Sequence, residues 1–512
     1  MRHEHLDVDG IMAQVLNDHY ANISTDQQYQ EPKLKLTAMD RCTDISDFEV
    51  FLMLDSLKVT ATGLDDIPAW FLRLGAPVFA APIAQLFNQS IKAGIVPSQW
   101  KTAVITPVAK VKQPTQPSDF RPIFVTPVLS RMLERFIVKS FIYPAIQLTN
   151  PQLSFDDQYV FRPTGSTTAA LVAILHTVNN MLSSNQYVRV FALDFTKAFD
   201  SVRHSTLMEK LSELTIPDQI YNWIHNWLSN RTHSTKFAKE VSKVSAVTAS
   251  IIQGSGLGPA AYIVTAADLR PIRAGNRIVK YADDTYLIVP EANSRYSNEG
   301  LNNIQTWATR NNLTLNYSKS KEIVFCASVS RRSSEQLPPL CQNVERVDKM
   351  TVLGITINVR LTATDHVSGL LSSCSSLLYM LRILRNHGIS ETSLQDVFRA
   401  TVLAKLTYCS PAWSGYCTAA DLGRLDGFLR RCGRLGYCQQ SLPSTAQLFS
   451  DIDDTFFSRI MTNSQHILQQ FLCDRTITYS LRTRYHSKAL VNKTSHLNNS
   501  DFLIRLLYKY SY

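Results

Sequence analysis

Three aspartates stand at positions where they could do chemistry together. Asp194 closes the run YVRVFALDF (187–195), and Asp283 and Asp284 sit side by side inside VKYADDTYLIV (279–289). Both runs are too short for helices and rich in β formers, so they read as strands. An Asp-Asp pair between two apolar runs is also what an ordinary hairpin turn carries. If the strands are neighbours in one antiparallel sheet, however, three carboxylates converge at the same edge. Clustered like charges repel and are tolerated mainly when cations sit among them. Oxygen-only ligands suit Mg²⁺, which keeps some waters and takes further ligands from substrate phosphates. Two such ions, about 4 Å apart, lower the pKa of an attacking hydroxyl and stabilise a leaving pyrophosphate. Nucleotidyl transfer is the reaction with that requirement.

The elements that must position these residues are legible in outline. The first forty-odd residues are polar and weakly patterned, and order begins at Ser46–Glu49, a capping box that opens a helix to about Leu57. A longer helix is expected from Ala76 to Ala93, closed by Gly94. Thr102–Ala109 reads as a strand, followed by a Pro-rich loop and a helix from about Val128 to Phe141. Further helices are expected over Thr167–Leu182, His204–Leu214, Gln219–Leu228, after Gly258, and over Leu301–Arg310. Strand pairing is expected through Thr232–Ile252, with single strands at Glu322–Cys326 and Thr351–Ile357. Residues 328–340 read as a loop or short linker. From Asp365 onward the pattern is helical, with Arg382, Arg385, Arg399, Lys405, Arg424, Arg430, Arg431 and Arg434 spread along it.

Composition bounds the class. At 512 residues, 45% hydrophobic and 18% charged, the chain is globular and long enough for two or three domains. A formal charge of +10 favours a partner rich in phosphate. The start shows no secretory signal, and no window approaches eighteen uninterrupted apolar residues, so no membrane partner is expected. Nine cysteines without C-x-x-C pairs or neighbouring His spacings argue against zinc and against a disulfide framework. Reduced thiols in an intracellular protein, in nucleus or cytoplasm and not secreted, fit better.

Taken in order, ALDFTKAFDSV (192–202), QGSGLGP (253–259) and YADD (281–284) closely resemble a reverse transcriptase of a non-long-terminal-repeat, LINE-like retrotransposon. FRPIFVTPVLSRMLE (120–134), LTLNYSKSKEIVF (313–325) and VLGI (352–355) support the resemblance, which covers about Gly63 to Tyr416. The likeness implies an α/β fold of the right-hand polymerase kind. Residues 1–60 would form an N-terminal extension and entry helix, 61–186 the fingers and first part of an α+β palm, and 187–360 the palm with the carboxylates. Residues 361–440 would form a basic helical thumb and 441–512 a C-terminal helical remainder.

The resemblance also implies roles. Asp194 and Asp283 would bind both catalytic Mg²⁺ ions (Mn²⁺ being an alternative), with Asp284 in support and the backbone carbonyl of Phe195 completing one site. Phe199 would be the bulky gate under the incoming sugar, favouring deoxynucleotides. Gln253 and Gly254 would lie along the template and incoming base, a place where a residue without a side chain lets a base approach. Arg121 would hold the triphosphate, with Lys110 or Lys112 nearby. Lys319, or its neighbour Lys321, would protonate the leaving pyrophosphate. The partners implied are an RNA template, a DNA primer and dNTPs. Where the family usually carries Gly-Phe-Arg, this chain has Val160-Phe161-Arg162, which predicts strain if that Gly takes a conformation Val cannot. An upstream endonuclease domain, usual in such elements, would not fit into the sixty-two residues before Gly63. The expected activity is RNA-directed DNA polymerisation. Its rival is a decayed element that only binds nucleic acid, whose clearest sign would be a broken carboxylate; all three are present.

Overall fold

The computed structural model describes residues 12–35, 43–148, 150–327, 337–341, 343–439, 442–475, 486–493 and 496–511. The expected loop at 328–340 lies mostly outside them. Two compact units, each built from separated stretches of chain, make up the fold.

The first unit comprises residues up to Phe155, then Phe195–Arg270 and Ile304–Leu315. Its sheet runs Phe120–Val125, Thr102–Ala109, Arg231–Phe237, Glu240–Val241, with Ser245–Val247 also paired to Arg231–Phe237. Thr102–Ala109 and Phe120–Val125 form an antiparallel pair in the register Val108↔Arg121. Alternation leaves Thr106, Val108 and Arg121 on the open face while Ala103, Ile105, Phe120 and Phe124 are buried. The capping box at Ser46 and Glu49 starts a helix over Asp47–Asp55. The next long helix spans Ala76–Ala93 and ends at Gly94, whose φ of +63° is the left-handed cap that Gly accepts without strain. The helix from Val128 runs only to Ile137 before a five-residue π-turn over Val138–Ile142.

Two sequence expectations fail here. Order does not begin at Ser46: a helix spans Ala13–Ile23. Its buried positions Ala13, Leu16, Asn17 and Tyr20 recur at helical spacing, and its anchoring is tertiary. Asn17 donates to Lys243 O and Ser245 Oγ and takes bonds from Thr235 Oγ1 and His233 Nδ1. The ladder expected through Ile252 stops at Val247, with one isolated bridge, Arg203↔Ala249, beyond it, and Ser250 and Ile252 take φ of +96° and +60°.

The second unit comprises Asp156–Asp194, Pro271–Asn303 and Asn316 onward. Its five-stranded sheet has the order Glu345–Arg346, Lys321–Cys326, Tyr187–Leu193, Asp284–Pro290, Arg277–Tyr281, antiparallel except for the first pair. The Thr167–Leu182 helix, capped by Ser166 on Ala169 N, lies against this sheet and is buried along most of its length. Arg189, in the middle of a buried strand, is matched by Glu322 on the neighbouring strand at 2.6 Å, and Arg346 bonds the same carboxylate. A buried charge survives there because it is paired and hydrogen-bonded. The strand expected over Thr351–Ile357 is a hairpin, Lys349–Val352 with Ile355–Asn358. Its turn, Leu353-Gly354, has φ of +47° and +86°, a reversal that an unbroken apolar run conceals.

The helical end begins with Thr364–Asn386. By length and composition this helix could cross a membrane. Its buried residues Val367, Leu370, Cys374, Leu378 and Leu381 recur at three- and four-residue steps, the stripe of an amphipathic helix lying on a core. Helices Ala419–Arg434, Thr445–Thr462 and Phe502–Lys509 complete the unit. The last of these buries Phe502, Leu503, Leu506 and Leu507 in the same core as the Thr167–Leu182 helix. Asp501 joins them, accepting from Asn179 and meeting His176 Nδ1 at 3.1 Å.

Candidate active site

The carboxylate centre belongs wholly to the second unit. Tyr187–Leu193 pairs with Asp284–Pro290 in the register Leu193↔Thr285, and one further step sets Asp194 across from Asp284. Asp194 is held from its other side by the turn that follows. Its carbonyl accepts from Asn316 N at 2.8 Å, and its N–H faces Ser320 Oγ at 3.4 Å. Ser320 Oγ in turn donates to Asn316 O, and the Asn316 side chain accepts from Ser318 and Lys319 N. The N-x-x-K segment is therefore a turn held by the Asn316 side chain, and it clamps the strand end bearing Asp194.

Asp283 occupies a two-residue hairpin loop, Ala282-Asp283, closed by the pair Tyr281↔Asp284. Ala282 takes φ +56°, the positive first position of a II′ turn, in a residue with a Cβ. Such a conformation persists only where surroundings enforce it. Gln158 supplies part of that enforcement, because its Oε1 accepts from Ala282 N at 3.2 Å. The segment before it adds more: Lys280 N donates to Asp157 O, Tyr159 N donates to Lys280 O, and Lys280 Nζ pairs with Asp157 at 2.9 Å. Sequence reading missed Asp157, Gln158 and Lys280, since nothing local marks them as partners.

Asp194 and Asp284 open into one cavity of about 320 Å³ that Tyr286, Lys319, Lys321 and Lys349 also line. Asp284 is exposed on one side, yet the protein packed around its carboxyl, then the charges of Asp283 and Asp194, push it up to about 6. A carboxylate whose charge is disfavoured by two neighbouring carboxylates is relieved by a bound cation. Among the described residues, no three His, Cys, Asp or Glu side chains already converge as a cage. An ion that keeps waters and borrows substrate oxygens, such as Mg²⁺, fits this arrangement better than one needing a closed protein cage. Lys321 is bonded to Glu345 and Lys349 lies 3.5 Å from Asp365, whereas the Lys319 side chain has no partner among the described residues.

The other expected site residues lie in the first unit. Phe195 is buried, pairs with Leu315 and meets Trp307 edge-on at 5.8 Å. Phe199 stacks on Tyr262 at 4.6 Å and 14°. The Phe199 carbonyl accepts from Ile251 N, and Gln253 Nε2 donates to Asp200 at 3.3 Å, so the gate and the QGSGLGP loop form one assembly. Gln253 O accepts from Phe124 N. Gly254 has φ +107°, and a Cβ there would stand 2.5 Å from Phe124 O, so both conformation and space demand glycine. His204, buried and pushed down to about 4 by that burial, donates from Nε2 to Ser250 O and fixes the loop's entry. Arg121 projects from the open face of its strand. Lys110 follows directly, its N–H on Asp119 O and its Nζ on Ser118 O.

The Val160 departure leaves no strain at Val160 itself. The left-handed residues of that loop are Phe161 (φ +56°) and Thr164 (φ +66°). Of the eight basic residues in the helical end, all exposed, Arg385, Arg399 and Arg424 are engaged by Leu435 O, Asp396 and Asp421.

Residues 109–357 match the family model described as reverse transcriptase (RNA-dependent DNA polymerase). They are a reverse transcriptase domain. The chain is 26% identical over 494 residues to the probable RNA-directed DNA polymerase from transposon BS of Drosophila melanogaster, covering 92% of this chain and 52% of that protein. It is 26% identical over 374 residues to the corresponding protein of transposon X-element from the same fly, covering 69% and 39%. To the RNA-directed DNA polymerase of the mobile element jockey, also from that fly, it is 27% identical over 303 residues, covering 56% and 32%. The chain thus spans between about a third and a half of the length of these curated relatives. Among solved structures, a telomerase from Candida albicans matches at 14% identity and a TM-score of 0.36, covering 78% of this chain and 68% of that one. The reverse transcriptase domain begins at the end of the Thr102–Ala109 strand and ends in the Ile355–Asn358 strand, so it contains every site residue from Lys110 to Lys349.

Proposed function

We propose that the chain is an RNA-directed DNA polymerase that extends a DNA 3′-hydroxyl on an RNA template with dNTPs. The observation that carries the reading is the convergence of Asp194, just past the strand Tyr187–Leu193, and Asp284, on the adjacent strand and beside Asp283, on a cavity that Lys319 shares, all within the reverse transcriptase domain. Asp194, Asp283 and Asp284 would hold the divalent ions that reverse transcriptases use. When bound, these supply Lewis-acid activation of the attacking hydroxyl and charge neutralisation on the leaving phosphates.

The chain's own groups do the rest. Lys319 holds a proton at Nζ on the cavity wall, suited to transfer to the leaving pyrophosphate. Its lack of a partner among the described residues favours it over Lys321, which Glu345 occupies. Arg121 offers a planar fork to the triphosphate. Lys110 serves beside it in preference to Lys112, because Lys110 continues the paired hairpin on the Arg121 face. Phe199, held flat by Tyr262, excludes a 2′-hydroxyl. Gly254 gives the template base room to approach, and the exposed arginines of the helical end grip phosphates.

The test is primer extension by purified protein on an RNA template with a DNA primer, dNTPs and Mg²⁺, beside Asp194→Asn and Asp283→Asn. Extension by the parent and none by either variant is expected. Equal extension by a variant would remove its carboxylate from the site. No extension by the parent, with salt-sensitive primer–template binding intact, would replace the reading with a binding protein.

A further inference from the structure

The N-terminal helix that sequence reading missed brings a basic group to a place where two others already stand. His19, on the Ala13–Ile23 helix, sits with its Nε2 3.1 Å from Lys197 Nζ. Lys197 lies three residues after Asp194, inside the KAFD portion of the same motif. The only hydrogen-bond partner of its Nζ among the described residues is that imidazole. Lys110, on the open face shared with Arg121, is close enough for its charge to act on both His19 and Lys197.

Three features separate this group from an ordinary solvated lysine. First, Lys197 is held at φ +52°, a left-handed conformation that costs a residue with a Cβ about 1 kcal/mol or more. The turn it opens is closed by Asp200 N and Ser201 Oγ, both donating to Lys197 O. Second, the side chain is half-buried and directed at another basic group. The carboxylate within electrostatic reach, Asp200, already accepts from Gln253. Third, the Ala13–Ile23 helix that carries His19 packs on the Pro117–Asp119 turn, whose Ser118 O accepts from Lys110 Nζ, so a third basic side chain is anchored beside the pair. Like charges gathered at a functional motif are relieved by an oppositely charged ligand, and oxyanions with several acceptor oxygens are the natural complement of separate N–H donors.

We infer that Lys197, His19 and Lys110 form a subsite for phosphate oxygens, occupied by the triphosphate tail of the incoming nucleotide. The inference rests on the polymerase reading for its physiological ligand but not for its chemistry. Lys197 donates to the phosphate oxygens. His19 is a positioning residue, since its ring nitrogen holds Lys197 Nζ in place through one hydrogen bond. The N-terminal segment thereby takes part in nucleotide binding even though it lies outside the matched residues 109–357.

The variants are Lys197→Asn, chosen because Asn tolerates the left-handed conformation, and His19→Gln beside His19→Leu. Binding of inorganic tripolyphosphate, measured by calorimetry on the full chain, needs no catalysis and so stands whether or not the protein extends primers. Lys197→Asn is expected to weaken it about tenfold or more, as loss of a charge-assisted bond implies. His19→Leu should weaken it less, and His19→Gln should restore much of that loss. In primer extension the same variants should raise the KM for dNTP while leaving kcat and the Kd for primer–template nearly unchanged. A rise in primer–template Kd with an unchanged dNTP KM would assign the subsite to a nucleic-acid phosphate and overturn the nucleotide assignment. Unchanged tripolyphosphate binding in Lys197→Asn would overturn the subsite altogether. A parent that binds tripolyphosphate through Lys197 but extends no primer would overturn only the polymerase reading.

Discussion

Lys280 lies opposite Thr285, one pair behind the turn that carries Asp283, and its side chain is almost wholly buried against Asp157. Replacing it by Met keeps much of its volume and removes its charge. One-sided loss of a buried ion pair costs roughly 3–5 kcal/mol. Asp157 keeps 19% of its side chain open to solvent, so we expect the lower end, about 3 kcal/mol. The penalty has a pH sign. Burial already raises the Asp157 pKa above the ordinary carboxylate range, against the pull of Lys280. A carboxyl whose folded pKa is raised favours the folded state below its unfolded pKa, and that contribution is lost as pH rises through the folded value. Without Lys280 the folded value rises further, so Lys280→Met should be more damaging at pH 8 than at pH 6. Adding Asp157→Asn removes the stranded charge and should recover most of the loss. Hydrogen exchange of the Arg277–Pro290 amides, corrected for intrinsic rates, reads the opening of this hairpin without requiring the two units to unfold together. Unaltered protection in Lys280→Met, or a double variant as unprotected as the single one, would refute the argument.

Three other outcomes follow from the same geometry. Gly254→Ala puts a Cβ against Phe124 O at φ +107°, so the loop must move; extension should fall at least tenfold and the melting transition should fall with it, and wild-type kinetics would contradict this. Phe199→Ala removes both the gate and its stack on Tyr262; the ratio of kcat/KM for dNTP over rNTP should fall more than tenfold in single-nucleotide incorporation. Replacing Arg430, Arg431 and Arg434 together by Gln should lower the slope of log Kd for primer–template against log salt by about 0.9 for each phosphate no longer neutralised. A slope unaltered in fluorescence titration would remove that helix from the interface.

Much of this fold was legible where the physics is local. Ser46 and Glu49 cap each other across three residues, Gly94 stops its helix by conformation, and the Thr102–Ala109 and Thr167–Leu182 bounds match the structure. The carboxylates were legible because their spacing and order carry the motif, although the strand register that sets Asp194 opposite Asp284 is a tertiary fact. What escaped depends on partners far along the chain. The Ala13–Ile23 helix is fixed by Asn17 reaching residues more than two hundred positions away. Gln158 looks like any loop glutamine until Ala282 needs an acceptor. The Leu353-Gly354 reversal hides because a turn with an apolar first residue leaves the hydrophobic run unbroken.

The docking of Phe502–Lys509 beside the Thr167–Leu182 helix bears on how the protein is made. The carboxylate sheet draws on three stretches of chain, and its supporting helix is covered by residues translated late. A ribosome that has just passed residue 357 has delivered every motif of the reverse transcriptase domain. It has not yet delivered the apolar residues that seal the helix behind the sheet. Until Phe502, Leu503, Leu506 and Leu507 emerge, that surface is exposed on the nascent chain, and contacts of such long sequence separation form slowly. Competence is therefore acquired only after these residues have been made, and chains released before them should aggregate or be degraded instead of binding nucleic acid as partial enzymes.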